Sequence, residues 1–172
     1  MIPEYEAWIG KTEVFKEQLS EVNTKRLYHT LNITDSPPSS GESVFPLALL
    51  ILGEPSVSPE EIGEDGHPVR GGFMPPISLK RRMFAGGEYE FHQPLRVGDE
   101  VRVTWCITDI IRKNGSGGEL IFVSIRRDFH AMEVLCATEI RKIVYTDSDP
   151  KVLPIDDSEM TGEWIEEMHS DP

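Results

Sequence analysis

The chain is poor in basic residues. Its 172 residues include 17 Lys and Arg against 30 Asp and Glu, which gives a formal net charge of -13. An acidic mean field repels phosphate, so nucleic acid and anionic membrane surfaces are disfavoured as partners. Any anionic ligand would therefore have to be held by a local cluster of basic side chains.

Long apolar runs and cysteines are also scarce. The longest apolar run, residues 45–52, is interrupted by Pro46 and is far shorter than the roughly 20 residues that span a bilayer. The first residues show no basic segment followed by an apolar stretch, so no signal peptide is expected. Cys106 and Cys136 lie in separate strand-like runs without paired spacing. We therefore interpret both cysteines as small buried apolar residues in a reducing compartment, rather than as a disulfide or a metal site. We therefore expect a cytoplasmic protein.

The length fits one domain with a sizeable core, and the second half of the chain is rich in strand patterns. In residues 100–107, Val101, Val103, Trp105 and Ile107 share one face, which predicts a half-buried strand. A glycine-rich turn and two further alternating runs follow. Together they predict a meander of three or four long antiparallel strands.

The end of the chain has two further features. The apolar phase changes between Ile140 and Ile143, which predicts a β-bulge in the last strand. We place a single domain at residues 1–146 and an acidic tail at residues 147–172. In that tail Met160, Trp164 and Met168 recur every four residues, as in a short docking helix.

The first half is less regular. Residues 13–19 alternate weakly and favour a short strand. Asn23 is the expected N-cap of a short helix that ends at Leu31. Residues 45–53 are apolar on every face, so we expect them to be buried, as a strand or a short helix that periodicity does not distinguish.

Residues 70–99 carry the most informative pattern. A Gly-Gly pair and Phe-Met precede two prolines, and a basic triplet at residues 80–82 then stands beside Met-Phe and a second glycine pair. Basic side chains beside apolar groups and glycines are typical of a site for an anionic, partly apolar ligand. The alternative is a solvated loop with ordinary turn glycines. The candidate binding residues are Arg70, Gly71, Gly72, Phe73, Met74, Arg81, Arg82, Phe84, Gly86 and Gly87.

Classical catalytic and metal motifs are absent from the sequence. None of the five histidines pairs with another His, Cys or carboxylate at a chelating spacing, so no metal is expected. His92 is the one candidate catalytic residue, although a histidine on an alternating strand is more often structural. Residues 115–118 superficially resemble a phosphate loop but lack the following Lys-Ser/Thr, so a hairpin turn is expected. No Gly-x-Ser-x-Gly elbow supports a serine hydrolase.

Four motifs occur in a fixed order along the chain. They are W-x-G at residues 8–10, RGGFMPP at 70–76, RRMFAGG at 81–87 and EFHQPLRVGD at 90–99. The series resembles the N-terminal half of MaoC-like dehydratases, in the subgroup related to the fatty-acid-synthase dehydratase region. Mesaconyl-CoA and itaconyl-CoA hydratases belong to this subgroup. The resemblance covers residues 5–145.

The resemblance implies an α+β hot-dog fold, in which an antiparallel sheet wraps around a central helix and pairs with a second such unit. It also implies reversible addition of water across the double bond of an enoyl thioester. CoA or phosphopantetheine would be part of the substrate, with no other cofactor. The reaction needs an acid and a base. The family supplies them through D-x-N-P-x-H or H-R-I-H-Y-D, and neither motif occurs in this sequence.

Three hypotheses therefore stand. The chain is a substrate-binding, non-catalytic subunit of a hydratase or dehydratase that acts with a MaoC-type partner, an acyl-CoA-binding homodimer without chemistry, or a thioesterase. A thioesterase would need a carboxylate on the central helix, which the sequence does not show. On the first hypothesis Arg81 and Arg82 contact the phosphates of CoA or phosphopantetheine. Phe73, Met74 and Phe84 would line the acyl or pantetheine channel, and the glycines would let the backbone approach the thioester.

Overall fold

The centre of the molecule is one antiparallel sheet. A computed structural model describes residues 2–115 and 118–148. Its five strands are β1 (Thr12–Gln18), β2 (Arg81–Phe91), β3 (Glu100–Gly115), β4 (Gly118–Ala131) and β5 (Val134–Thr146). They are ordered β1-β3-β4-β5-β2, so the three longest strands form the predicted meander and β1 and β2 are the edges.

Helices are few and short. The part of the chain that the structure describes has one α-helix, α1 (Glu21–Thr30), and three 3-10 helices, Pro3–Trp8, Pro46–Ile51 and Pro59–Glu61. The expected α+β class is confirmed. None of the helices in residues 2–115 and 118–148 is long and apolar enough to cross a membrane.

One face of the sheet lies in the core, and we call it the covered face. On β3 the side chains of Val101, Val103, Trp105 and Ile107 are at most 7% exposed, as the alternation predicts. The inward residues of β4 follow the same period of two. The alternation of apolar residues therefore predicted correctly which side chains of these strands face the core, wherever those side chains are apolar.

The layer over the covered face contains the 3-10 helix Pro46–Ile51. This helix buries Ala48 and Leu49 almost completely but leaves Leu47 and Leu50 at 43% and 40% exposed. The expectation that residues 45–53 are buried on every face is therefore wrong. A 3-10 helix has three residues per turn, so Leu47 and Leu50 lie on the same, outward side.

Gly53, which follows the 3-10 helix, lets the backbone pack directly against β3 of the sheet. Its φ is +68°, and a Cβ atom there would lie 2.7–2.9 Å from side-chain atoms of Val103. We expect Gly53→Ala to lower the free energy of unfolding by roughly 2–5 kcal/mol, because overpacking adds to the cost of a left-handed backbone. Gly66→Ala is the matched control, since Gly66 has φ +74° and no atom within 4 Å of the added group. If urea unfolding gave the same loss in free energy of unfolding for Gly53→Ala and Gly66→Ala, the packing argument would be contradicted.

Helix α1 differs from expectation at its start. Ser20, rather than Asn23, is the N-cap, and its Oγ accepts a hydrogen bond from the Asn23 backbone N–H at 3.1 Å. A capping hydroxyl accepts from the second or third helical residue, and Asn23 is the third. The predicted N-cap, Asn23, is therefore the residue that donates the capping hydrogen bond rather than the residue that accepts it. The helix ends at Thr30, one residue earlier than predicted.

The bulge predicted in β5 between Ile140 and Ile143 lies in the neighbouring strand β2. Strand β5 keeps a continuous register with β4 at these residues, but its pairing with β2 shifts between Phe84 and Gly86. The extra residue is therefore Ala85 of β2, and β5 itself is regular.

The apolar phase of the β5 sequence changes for another reason. Glu139 and Arg141 occupy positions on the covered face, where apolar residues would continue the alternation.

The tail prediction falls mostly outside the described residues. Strand β5 ends at Thr146, and of residues 147–172 the structure describes only the first two. The docking helix with Met160, Trp164 and Met168 therefore stays a prediction. Of the two cysteines, Cys136 is buried and Cys106 half-buried, and both are free thiols.

Candidate functional site

The first glycine loop is held in place by its own arginine. Arg70 donates from Nη1 to the carbonyl oxygen of Ile77 at 2.6 Å and from Nη2 to that of Lys80 at 2.8 Å. The Gly71 N–H donates to the carbonyl of Met74 at 2.9 Å. Arg70 therefore closes the loop internally, with its guanidinium engaged by backbone oxygens.

The tip of the same loop docks onto the body of the protein. The carbonyl oxygen of Gly72 accepts hydrogen bonds from Trp8 Nε1 at 3.3 Å and Lys11 Nζ at 2.6 Å. The ring of Phe73 meets Trp105 edge-on, with centroids 5.6 Å apart. These contacts fix the loop against the core, and the predicted role of Phe73 in an acyl channel stays a prediction.

Arg82 has a carboxylate partner. Its side chain is 8% exposed and donates to both oxygens of Asp65, from Nε at 3.1 Å and from Nη2 at 2.9 Å. Burial alone would raise the pKa of Asp65, but the hydrogen bonds and charge of Arg82 hold it below its usual value. Arg81 is half-buried and lies on the opposite face of β2. The geometry of Arg82 thus favours a structural role, and phosphate binding by the two arginines stays a prediction.

We expect Asp65→Asn to lower the free energy of unfolding at pH 7 by roughly 1–3 kcal/mol, because Arg82 loses charge-assisted hydrogen bonds. The pKa of Asp65 is lower in the folded than in the unfolded state. Its contribution is therefore present above the unfolded value of about 3.9 and is lost as the pH falls through the folded value. Denaturant unfolding at neutral and at strongly acidic pH measures the loss in free energy of unfolding caused by Asp65→Asn. Glu64→Gln, at an exposed position, is the control. A difference that persists in acid would contradict the ionic origin.

The second glycine pair lies on the free edge of the sheet. The pairing of β2 with β5 shifts register between Phe84 and Gly86, and Phe84 is 63% exposed. No atom lies within 4 Å of a Cβ placed on Gly86. Gly87 stands opposite Arg141, and a Cβ there would meet the Tyr89 ring at 3.1–3.3 Å. Phe84 and the glycines therefore form an open, partly apolar stretch of edge strand.

The covered face contains a charged cluster that the sequence analysis missed. Arg127 and Glu139 pair in register on β4 and β5, both 0% exposed, with Nη1 and Oε2 2.6 Å apart. Arg141 Nε contacts the other Glu139 oxygen at 2.9 Å. Glu54 Oε1 lies 3.1 Å from both arginines, and the Tyr89 hydroxyl donates to Glu139 at 3.3 Å. These five residues are the charged cluster.

Aromatic and backbone groups complete the surroundings of this cluster. The guanidinium groups of Arg127 and Arg141 lie 4.8 Å and 5.6 Å from the centroid of Trp105, within cation–π range. Burial, and then the charge of Arg141, lowers the pKa of Arg127. Burial would also lower the pKa of Arg141, but its hydrogen bond to Glu139 raises it. Arg127 Nη2 donates to the carbonyl of Leu52 at 2.6 Å, so the cluster joins the sheet to the segment after the 3-10 helix.

An apolar groove of about 250 Å³ lies beside the charged cluster, between the 3-10 helix Pro46–Ile51 and the end of β2. It is lined by Val44, Phe45, Pro46, Leu49, Phe91, His92, Gln93, Pro94, Leu95 and Ala137. Of the candidate catalytic and binding residues predicted from the sequence, only His92 lines this groove. Its Nδ1 lies 3.8 Å from Glu90 Oε1. Apolar walls with a few polar groups are typical of small-molecule sites.

The groove contains no carboxylate. Glu139, on the same face of β5 as the groove residue Ala137, is bound by two arginines and a tyrosine. Among the residues that the structure describes, the groove therefore brings together one imidazole and no acid–base pair. The same described residues contain no group of three or more His, Cys, Asp or Glu side chains that could hold a metal ion.

A second groove, of about 400 Å³, is lined mainly by charged and polar side chains. They include Lys16, Glu17, Glu100, Arg102 and Glu133. Arg102 and Glu133 already pair there at 2.9 Å. Mixed, mutually paired surface charges favour a solvated surface over a ligand site.

Residues 48–171 match the family described as hydroxyacyl-thioester dehydratase type 2. The chain belongs to this family. The mesaconyl-C(4)-CoA hydratase of Chloroflexus aurantiacus is 37% identical over 139 residues, which is 81% of this chain and 50% of that protein. The chain thus spans about half the length of this relative of the dehydratase family. The resemblance to MaoC-like dehydratases that the four motifs indicated is confirmed.

Solved structures confirm the hot-dog fold of this dehydratase-family chain. A chain of the ChsH1-ChsH2 complex from Mycobacterium tuberculosis aligns with TM-score 0.54 and 17% identity, covering 85% of this chain and 89% of that one. The C-terminally truncated HadBC (3R-hydroxyacyl-ACP dehydratase) complex, also from M. tuberculosis, gives TM-score 0.51 and 8% identity. That match covers 79% of this chain and 96% of the other. In the described part of this chain, the short 3-10 helix Pro46–Ile51 contributes Ala48 and Leu49 to the core.

Proposed function

We propose that this chain is the substrate-binding, non-catalytic hot-dog unit of an enoyl-thioester hydratase or 3-hydroxyacyl-thioester dehydratase. A MaoC-type catalytic unit completes the active site. The observation that carries the proposal is the apolar groove, which has an imidazole but no carboxylate. Hydration of an enoyl thioester needs both an acid and a base. The two motifs with which the family supplies these groups are also missing from the sequence.

The comparisons support a unit that acts together with another. The mesaconyl-C(4)-CoA hydratase is about twice as long as the matched region, so it has room for a second unit in one chain. The two solved structures described above belong to the ChsH1-ChsH2 and HadBC complexes. The proposed substrate is an acyl-CoA or acyl-carrier thioester, with no further cofactor. The catalytic partner is a separate MaoC-type subunit, whereas a second copy of the chain would give the homodimer of the alternative hypothesis.

The chain alone is expected not to hydrate crotonyl-, mesaconyl- or itaconyl-CoA above background. An acid or a base contributes about 10²–10⁴-fold each, so the absence of both costs several powers of ten. Co-expression with a MaoC-type protein that carries the missing Asp/His motif should give turnover that this chain does not show alone. The measurement is loss of enoyl-thioester absorbance on hydration.

Three outcomes would overturn this proposal. Robust turnover by the lone chain that His92→Gln abolishes would make His92 the catalytic residue. Release of free CoA by the lone chain would identify a thioesterase. Binding of acyl-CoA by a homodimer that stays inactive with every MaoC-type partner would identify a binding protein without chemistry.

A further inference from the structure

The outer face of the sheet, opposite the covered face, carries a row of apolar side chains. The row crosses β3, β4, β5 and β2 in register and consists of Ile111, Phe122, Val144 and Met83. We call these four residues the outer row. Residues paired across neighbouring strands point to the same side of a sheet, so the four side chains form a continuous stripe. Their chain neighbours Ile110, Ile121 and Tyr145 belong to the core on the covered face.

The outer row is exposed at both ends. Its end members, Ile111 and Met83, are 39% and 44% exposed, and Phe122 between them is half-buried. A contiguous exposed apolar stripe of this kind marks a surface that another segment or another chain covers.

Basic side chains border the outer row. On the side of the β3–β4 turn, the next residues of the outer face include Lys113 and Arg81. On the other side they include Asp109 and Lys142, and Lys142 pairs with Glu88. Basic groups thus outnumber acidic ones around the row, although the whole chain has a net charge of -13. An acidic segment would be attracted to this surface.

The chain leaves strand β5 on the outer face. Thr146, the last residue of β5, lies two positions after Val144 and therefore on the same side of the sheet. Its Oγ1 lies 3.1 Å from the hydroxyl oxygen of Ser148 and accepts a hydrogen bond from the Ser148 N–H at 3.1 Å. Ser148 is therefore on the side of the outer row, and residues 149–172 start there.

Residues 149–172 have the composition that this surface requires. Their 24 positions include eight acidic side chains and one lysine. Met160, Trp164 and Met168 recur every four residues, so in the predicted docking helix they share one face. We call these three residues the tail stripe. A helix this short is not stable alone in water, so it needs an apolar surface to pack against.

The length of the tail stripe matches that of the outer row. The row spans three intervals of about 4.8 Å between strands, which is about 14 Å. Along a helix axis, Met160 and Met168 are about 12 Å apart. The chain from Ser148 to Met160 reaches up to roughly 40 Å when extended, so a helix can lie across the strands along the whole row.

We propose that residues 149–172 dock on the outer row of the same chain. The tail stripe packs against the row, and the acidic side chains of the segment lie beside Lys113 and Arg81. The segment is then a built-in cover for the outer face, and a second hot-dog unit is left to the edges of the sheet. This docking is independent of the proposed function.

Amide hydrogen exchange of the full chain, followed by mass spectrometry, tests the docking. Backbone N–H groups of a docked helix exchange only when the helix opens. In the parent protein, residues 160–168 should exchange roughly tenfold or more slowly than an unstructured chain of the same sequence. Ile111→Asp should abolish this protection, because it places a charge in the apolar row and repels the acidic segment.

Two further variants locate the contact. Trp164→Ser removes the largest apolar side chain of the tail stripe and should abolish the protection without any change to the sheet. It therefore tests the same contact if Ile111→Asp does not fold. Val14→Asp is the matched control, because Val14 is 55% exposed on the same face of the sheet but on the edge strand β1. It should leave the exchange of residues 160–168 unchanged, and thermal melts establish that each variant is folded.

Three results would overturn the docking. Exchange of residues 160–168 at the unstructured rate in the parent protein would show that the segment does not dock. Protection that grows with protein concentration would assign the row to the segment of a second copy. Protection that survives Ile111→Asp would place the segment elsewhere on the molecule, and the row would belong to a MaoC-type partner if the same variant loses assembly with it.

Discussion

Glu139→Ala is expected to lower the free energy of unfolding by roughly 3–5 kcal/mol. Glu139 is 0% exposed and compensates the buried charge of Arg127 and part of that of Arg141. Its removal leaves the buried guanidinium of Arg127 with the half-exposed Glu54 as its carboxylate partner, and arginine does not release its proton to relieve the cost. Denaturant unfolding followed by circular dichroism measures the loss.

The control is a carboxylate on the sheet surface. Glu88 is paired with Lys142, but its side chain is 70% exposed, so Glu88→Ala should change the stability little. Replacing Arg127 by Met together with Glu139→Leu should recover much of the loss, since a buried ion pair exchanged for apolar groups of similar volume is often neutral. Losses of equal size for Glu88→Ala and Glu139→Ala would contradict the burial argument.

The charged cluster links stability to the shape of the groove. Arg127 holds the carbonyl of Leu52, and Glu54 bridges the two arginines, both just after the 3-10 helix that forms one wall of the groove. A substitution that loosens the cluster should therefore also loosen that wall.

Strand patterns were predictable because they are local. Alternation in residues 100–107 identified the inward residues of β3, and the glycine-rich segment lies where β3 and β4 meet. The four ordered motifs gave the family. Each of these patterns lies within a few consecutive residues. In the strands, the apolar side chains are buried, as apolar side chains usually are.

The charged cluster and the groove were not predictable in this way. Arg127 and Glu139 come together through strand register, twelve positions apart, and each taken alone resembles a surface residue. Arg82 finds Asp65 across an irregular loop. Phe45 and Phe91 line the same groove although they are far apart in the sequence. The sequence does contain one hint of the cluster, the charged residues in a run that is otherwise apolar.

The two edges of the sheet differ in how they are protected. Strand β1 has seven residues and exposes mostly charged and polar side chains, as protected edges do. Strand β2 has eleven residues and exposes Phe84 at 63%, Phe91 at 46% and Met83 at 44%. An exposed apolar edge of this kind marks a protein contact. We therefore expect β2 to face the second hot-dog unit, whether a copy of this chain or a MaoC-type subunit.

Phe84→Asp is accordingly expected to weaken assembly with the second unit at least 30-fold, equivalent to about 2 kcal/mol, because it removes an aromatic anchor and places a charge in the contact. Fold stability should change little, since Phe84 is largely exposed. Val14→Asp on β1 is the matched control: Val14 is 55% exposed on the opposite edge. Sedimentation velocity measures assembly of the chain alone and with its partner. A parent protein that is a stable monomer and binds no partner, or a Val14→Asp variant impaired as much as Phe84→Asp, would contradict assembly through β2.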